Sequence, residues 1–355
     1  MTAQRVDFGV LADGSAVEAV DLSNVAGLSA RIMTLGASIQ GLNVPDRNGQ
    51  VADIVLGHAT AAEYLAKPQY FGATVGRYAN RIARGRFRLN AREHSLETND
   101  GPNHLHGGHH GFDKRLWKIE SVSSEGGAST VLSLLSADGD GGYPGALNVT
   151  AAFTLTEQNE LIVEYRAVAD RPTIVNISGH SYFNLGGEAS AADVLGHLVT
   201  LNADAFTPVD ATLIPTGERR AVAGTAFDFR APTPIGRMIR DGRDEQIRIA
   251  RGYDHNFILN GADGKLRSAA RVEDPESGRV LDVLTTAPGI QFYSGNFLDG
   301  TSVGKGGRVY RQGDGLCLEP QTFPDAPNRA DFPSARLDPG QEYVNTIVYR
   351  FSVIR

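Results

Sequence analysis

Residues 103–114 read NHLHGGHHGFDK, and four of the nine histidines in the 355-residue chain, His104, His106, His109 and His110, fall in this window. Imidazoles this crowded suit a metal site. On an extended segment the His104-x-His106 spacing would turn both rings to one face, as two ligands require. A cupin-type site, however, supplies a glutamate shortly after the second histidine. Here His110 and Gly111 hold those positions, and the nearest carboxylate, Asp113, lies just beyond. Gly107, Gly108 and Gly111 read equally well as a surface loop with solvated histidines. A third reading uses one of the four in a site built elsewhere. The window alone leaves all three open.

Three further windows hold titratable groups in apolar surroundings. HSYFNLGG, residues 180–187, puts His180 directly after the β-type run TIVNISG and beside Tyr182 and Phe183. Such a histidine is either a hydrogen-bonded core residue or a proton donor in a sugar-sized pocket, where aromatic faces meet sugar C–H groups. GYDHNFIL, residues 252–259, places Asp254 in an apolar strand, where a carboxylate costs several kcal/mol unless it is paired. It is a ligand-binding group or a structural anchor. GLCLEPQTFPDAPN, residues 315–328, sets Glu319 after Leu316-Cys317-Leu318 and before a proline expected to stop the strand. A carboxylate at such a strand end is expected to face a cleft.

The elements that must carry these groups read as strands. Forty-one glycines and sixteen prolines punctuate short runs of Val, Ile, Leu, Thr, Phe and Tyr, and few windows keep a helical period. LNVTAAFTLTEQNELIVEYRAVA alternates on both sides of Thr156-Glu157-Gln158-Asn159. AARVEDPESGRVLDVLTTA does so around Pro275-Glu276-Ser277-Gly278, and ARGRFRLNAREHSLE reads as a third hairpin. Helices are expected only at Thr60 to Ala66 and in parts of Pro234 to Ala250. No linker, repeat or charge block divides the chain, so one all-β domain spanning 1–355 is expected. An antiparallel sheet system this large folds over into a sandwich or barrel to bury its apolar face.

Composition narrows the partners. A net charge of -7 and a pI near 5.7 leave no basic footprint, which argues against nucleic acid and anionic membranes. The N-terminus lacks a signal-type pattern, and no segment approaches the roughly 18 apolar residues of a membrane span, so a soluble cytoplasmic protein is expected. Cys317 is the single cysteine, so no internal disulfide or cysteine zinc cage can form. Neither a phosphate-cradling glycine loop nor a Gly-x-Ser-x-Gly elbow is present. What remains suits proton transfer on a neutral, polyhydroxylated small molecule.

In order along nearly the whole chain, VPDRNGQVADIVLG, GRYANRIARGRF, NHLHGG with GFDK, DGDGGYPG, NISGHSYFNLGG, DHNF, PGIQFYSGNFLDG and CLEPQTFPDAPN resemble the galactose mutarotase, or aldose 1-epimerase, family. Gly179 departs from the pattern, which often has Asn before the histidine. The resemblance implies a large antiparallel β-sandwich, the mutarotase supersandwich, with few short helices and an open sugar cleft. It implies no cofactor, no metal, and a monosaccharide substrate for a monomer or homodimer. By motif, Glu319 resembles the general base and His180 the general acid. Asn80, Arg81, His106, Asp254 and Gln291 resemble sugar-binding residues, and Tyr182 is expected to line the same pocket. His104, His109 and His110 are left without a role and read as incidental loop composition.

That assignment implies anomer exchange. The anomeric hydroxyl loses a proton while the ring oxygen gains one, the ring opens, the C1–C2 bond rotates and the ring recloses. An acid and a base on opposite sides of the sugar are expected, with His180 held as imidazolium by a nearby carboxylate. Arg81 and His106 would bind oxygens that gain charge. The rival readings are a glycoside hydrolase using Glu319 and Asp254, a non-catalytic sugar-binding domain, and a histidine-metal enzyme.

Overall fold

The computed structural model describes residues 1–261 and 264–354. Alternation of apolar and polar residues yields the expected antiparallel hairpins. Leu147–Leu155 pairs with Glu160–Ala169 in unbroken register from Leu155↔Leu161 to Leu147↔Ala169, across a turn with Asn159 at φ +58°. Arg267–Glu273 pairs with Arg279–Thr285, and Arg86–Leu89 with Arg92–Ser95. In the last hairpin Asn90 and Ala91 both take positive φ, the geometry of a two-residue turn between twisted strands.

Three sheets stack into a sandwich. A nine-stranded antiparallel sheet contains the first two hairpins and is joined at its middle by Tyr343–Val353. A six-stranded sheet runs in the order Tyr182–Phe183, Leu316–Gln321, Gly289–Tyr293, Asp254–Leu259, Ala203–Phe206 and Arg220–Ala221. The N-terminal segment forms a five-stranded meander from Thr2–Val10 to Val51–Asp53. One continuous core joins them: Phe153, Leu281 and Phe351 from the first, Phe257, Phe292 and Leu318 from the second, Val20, Ile32 and Leu42 from the third. Burying each such side chain contributes about 1.5–3 kcal/mol.

Among the described residues the α-helices are two, Ala61–Ala66 and Glu245–Ala250. The Glu63 carboxylate accepts from both the backbone N–H and the hydroxyl of Thr60. Asp244 Oδ1 accepts from the N–H groups of Gln246 and Ile247, which satisfies donors that a helix start leaves unpaired. The expected helical stretch after Pro234 is a single 3₁₀ turn, Ile235–Arg237, so only its far end is α-helical.

Pro320 does not stop its strand. Leu316–Gln321 continues through it, with Pro320 in register with Ile290. The neighbour on the other side, Tyr182–Phe183, pairs only with Cys317 and Leu316. Beyond that point this side of the strand has no ladder partner among the described residues, so a missing N–H costs no ladder bond, and the Pro320 carbonyl accepts instead from Ser178 Oγ at 2.8 Å and Asn345 Nδ2 at 3.0 Å. Glu319 therefore sits inside a strand, with its side-chain direction set by the pleat.

Candidate active site

Register in the six-stranded sheet assembles the site. Tyr182, Cys317, Tyr293 and Asp254 face one another across four adjacent strands, and Glu319, Gln291 and Asn256 form the next same-face row. The alternate residues, Phe257, Ile290, Phe292 and Leu318, point into the core. Side chains two apart on a strand share a face, so one pleat gives a polar floor above and an apolar anchor below.

Two short ladders bring the remaining groups. Ser178–His180 pairs with Ala73–Val75. Arg81–Ile82 pairs with His104–Leu105, setting Leu105 opposite Arg81. His106 follows at φ +51°, and Gly107, at φ +90°, packs so tightly that a Cβ there would lie 1.8 Å from the Gly76 carbonyl oxygen. This left-handed step separates the two histidines expected to share a face. His106 enters the cleft. His104 turns into the protein, donating from Nδ1 to the Glu97 carbonyl and accepting the Tyr143 hydroxyl at Nε2, both at 2.6 Å. His104 is thus a buried structural residue rather than incidental loop composition, while His109 and His110 are exposed.

The cleft has a volume of about 510 Å³ and is lined by Asn80, Arg81, His106, His180, Tyr182, Asp254 and Glu319. His180 Nε2 stands 3.7 Å from Glu319 Oε1, and both side chains are almost fully buried. They are side by side, not on opposite sides as expected. The anomeric hydroxyl oxygen and the ring oxygen share one carbon, so adjacent proton partners match them. Cys317 Sγ lies 3.6 Å from His180 Nδ1. Gln291 shares its row with Glu319 without lining the cleft itself and donates from Nε2 to Asp254 Oδ1 at 2.6 Å, so it holds a cleft residue. Arg81 donates from Nε to Asp100 Oδ2 at 2.7 Å and places Nη1 3.9 Å from Asp254 Oδ2. Asn80 Oδ1 accepts from the Arg81 N–H, which leaves its Nδ2 without a partner among the described residues.

Burial dominates the electrostatics. It lowers His180 to about 4. Burial also raises Glu319 well above the ordinary carboxylate range, and the charge of Asp254 adds to this. The expected imidazolium held by a carboxylate is thus not the form burial favours. Loss of hydration opposes the charged form of each group, the imidazolium of His180 and the carboxylate of Glu319 alike. His106 is pushed well below its usual value, first by burial and then by His180 and Arg81. Asp254 is raised by burial, with Arg81 opposing.

His106, His180 and Glu319 each bring one potential metal-ligand atom within 4.8 Å of the others. The trio differs from the cluster the sequence raised, and it is a poor donor set. His106 Nδ1 accepts the Asn80 backbone N–H at 3.1 Å, so the nitrogen facing the cleft carries the proton and offers no lone pair.

Sequence reasoning missed Asp100, Tyr293 and Tyr70, all of which line the cleft. Asp100 sits in the turn-type stretch TNDGPN and Tyr70 in the loop stretch KPQYFG, where composition announces only a connection.

The family model described as aldose 1-epimerase matches residues 18–350. The galactose mutarotase of Homo sapiens is 48% identical over 350 residues, covering 98% of each chain. The aldose 1-epimerase of Escherichia coli K12 is 40% identical over 342 residues, covering 96% of each. Among solved structures, the galactose 1-epimerase of Lactobacillus acidophilus superposes with a TM-score of 0.88 at 30% identity over the whole of both chains. An aldose epimerase homologue from C. elegans gives 0.87 at 32% identity, over 96% of this chain and 100% of that one. With its matching sandwich and a match over nearly its full length, the chain belongs to the aldose 1-epimerase family.

Proposed function

We propose that the protein is an aldose 1-epimerase, a mutarotase that interconverts the α and β anomers of free aldoses such as glucose or galactose without a cofactor. The observation that carries this reading is the His180–Glu319 pair, 3.7 Å apart on the buried floor of an open cleft. Glu319 takes the proton of the anomeric hydroxyl, the C1–O5 bond breaks as the C1 carbonyl forms, and His180 gives a proton to O5. The pair ends with Glu319 protonated and His180 neutral, the distribution that burial favours, so desolvation stabilises the ring-open stage. After rotation about C1–C2, Glu319 returns its proton to the carbonyl oxygen while His180 accepts that of the O5 hydroxyl.

Asn80, Arg81, His106, Tyr182 and Asp254 hold the sugar, and Gln291 orients Asp254. In the hydrolase alternative Asp254 would be the second catalytic carboxylate, but Gln291 and Arg81 already engage both its oxygens. The chain acts as one domain over 1–355, a reading supported by a core that runs from Val20 to Phe351. Among the described residues no helix is long and apolar enough to cross a membrane. We place the protein in the cytoplasm as a monomer or homodimer, with a monosaccharide as its partner and neither nucleic acid nor membrane.

Polarimetry of freshly dissolved α-D-glucose and α-D-galactose tests the function. Acceleration is expected, abolished by Glu319→Gln and strongly reduced by His180→Asn, since each acid or base contributes about 10²–10⁴-fold. A spontaneous rate on every aldose, pentoses included, overturns the reading. Release of reducing ends from oligosaccharides would replace it with a glycoside hydrolase, and saturable binding without acceleration with a silent sugar-binding domain.

A further inference from the structure

One wall of the cleft comes from a loop to which no sugar-binding or catalytic role has been assigned. After the Ala61–Ala66 helix, Tyr70 sits half-buried at φ +61°. That conformation is uncommon for any non-glycine residue and an outlier for one with a bulky side chain, and such positions concentrate at functional sites. The loop is tied to the His180 strand: the Gly72 N–H donates to the His180 carbonyl at 3.0 Å, and the Ala73 N–H closes a turn on the Tyr70 carbonyl at 3.1 Å. Gly72 fits so closely that a Cβ would lie 2.1 Å from the Ile39 carbonyl oxygen, so the loop has little freedom to move away.

The Tyr70 ring lies 4.7 Å from that of His106 and 5.5 Å from that of His180, and so touches both imidazoles. The Lys114 ammonium, paired with Asp113 at 2.7 Å, stands 5.2 Å from the ring centroid, a cation–π arrangement that holds the ring in place. The residue lines the cleft, and its phenol oxygen has no hydrogen-bond partner among the described residues. Burial keeps that phenol protonated. A tyrosine retained only for packing needs no hydroxyl over the cleft.

We propose that Tyr70 is a sugar-contacting residue whose hydroxyl hydrogen-bonds a hydroxyl of the bound aldose. This rests on the cleft being an aldose site. A hydrogen bond present equally in the ground and transition states lowers KM and leaves kcat alone.

The test pairs polarimetric kinetics on α-D-galactose with calorimetric binding of 1,5-anhydroglucitol, a pyranose ring that lacks the anomeric hydroxyl. For Tyr70→Phe, the expected result is a KM and a Kd about 3- to 10-fold higher, with kcat within about twofold. Tyr70→Ala is expected to raise both further. Wild-type KM and Kd in Tyr70→Phe overturn the proposal, even if Tyr70→Ala is destabilised. If the wild type fails to accelerate mutarotation but binds the anhydro sugar, the mutarotase reading falls, and the Kd comparison still decides Tyr70. If the wild type does not bind the anhydro sugar, the proposal is overturned.

Discussion

The backbone N–H of Asn80 donates to Nδ1 of His106 at 3.1 Å, and the backbone N–H of His106 donates back to the Asn80 carbonyl at the same distance. Both residues have positive φ, +66° and +51°. The exchange fixes His106 as a neutral imidazole with its proton on Nε2, aimed into the cleft. A preorganised N–H of this kind stabilises an oxygen as charge develops on it.

The same tautomer bears on metal dependence. Prolonged dialysis against EDTA is expected to leave the polarimetric rate unchanged. Stoichiometric zinc, iron or manganese in the purified protein, with activity lost to chelator and restored by the ion, would refute this.

Proton sharing predicts the pH profile. In the proposed mechanism, activity requires one proton on the His180–Glu319 pair. A second proton arrives as pH falls towards His180's value of about 4. The last one leaves at the raised value of Glu319. The groups around the pair are Asp254, Arg81, Cys317 and His106. Because the charge of Asp254 helps raise Glu319, Asp254→Asn is expected to move the basic limb of kcat/KM to lower pH, besides weakening sugar binding. A basic limb that stays put or rises would show that Asp254 does not act on Glu319.

The histidines of the 103–114 window are expected to separate in a denaturation series. His104→Ala strips the Tyr143 hydroxyl and the Glu97 carbonyl of a buried partner, at about 1–3 kcal/mol for each group left unsatisfied. His109→Ala with His110→Ala, at exposed positions, should stay within about 0.5 kcal/mol. Equal effects would contradict the placement of His104.

Acid lability follows from buried neutral imidazoles. His255 accepts the Asp254 N–H at Nδ1, donates from Nε2 to Gln246 Oε1, and is lowered by burial to about 3. An unfolded histidine titrates near about 6.5. Between pH 6.5 and 3 the unfolded chain therefore holds one more proton than the folded one. Stability from this group is complete above that window and is lost as pH falls through it, by up to about 1.4 kcal/mol per pH unit. The raised carboxyls of Asp113, Asp254 and Glu319 act with the opposite sign. Comparing slopes isolates the histidine: stability against pH should be shallower in His255→Gln than in the wild type, measured by denaturant midpoints. Parallel slopes would rule out His255 as the source.

The hairpins were legible because alternation with period two is a local property, and in each case the turn residues lay between the alternating runs. His180, Glu319, Asp254, Arg81, Asn80 and His106 could be picked out by motif, and they converge on one cleft. His104 and His106 could not be told apart, because a single left-handed residue, closed by Gly107 against Gly76, reverses the face that the spacing implies. Pro320 misled because whether a proline interrupts a strand depends on which edge lacks a neighbour.

The sequence by itself determined the strand periodicity, the single cysteine that leaves no cysteine cage, and the residues able to move protons. Tertiary structure alone decided that His180 and Glu319 stand side by side, that Gln291 supports Asp254 from the neighbouring strand, and that Tyr70 closes over two imidazoles. Periodicity is written in neighbouring residues. Proximity across strands and loss of hydration arise only when segments far apart in the chain exclude water together.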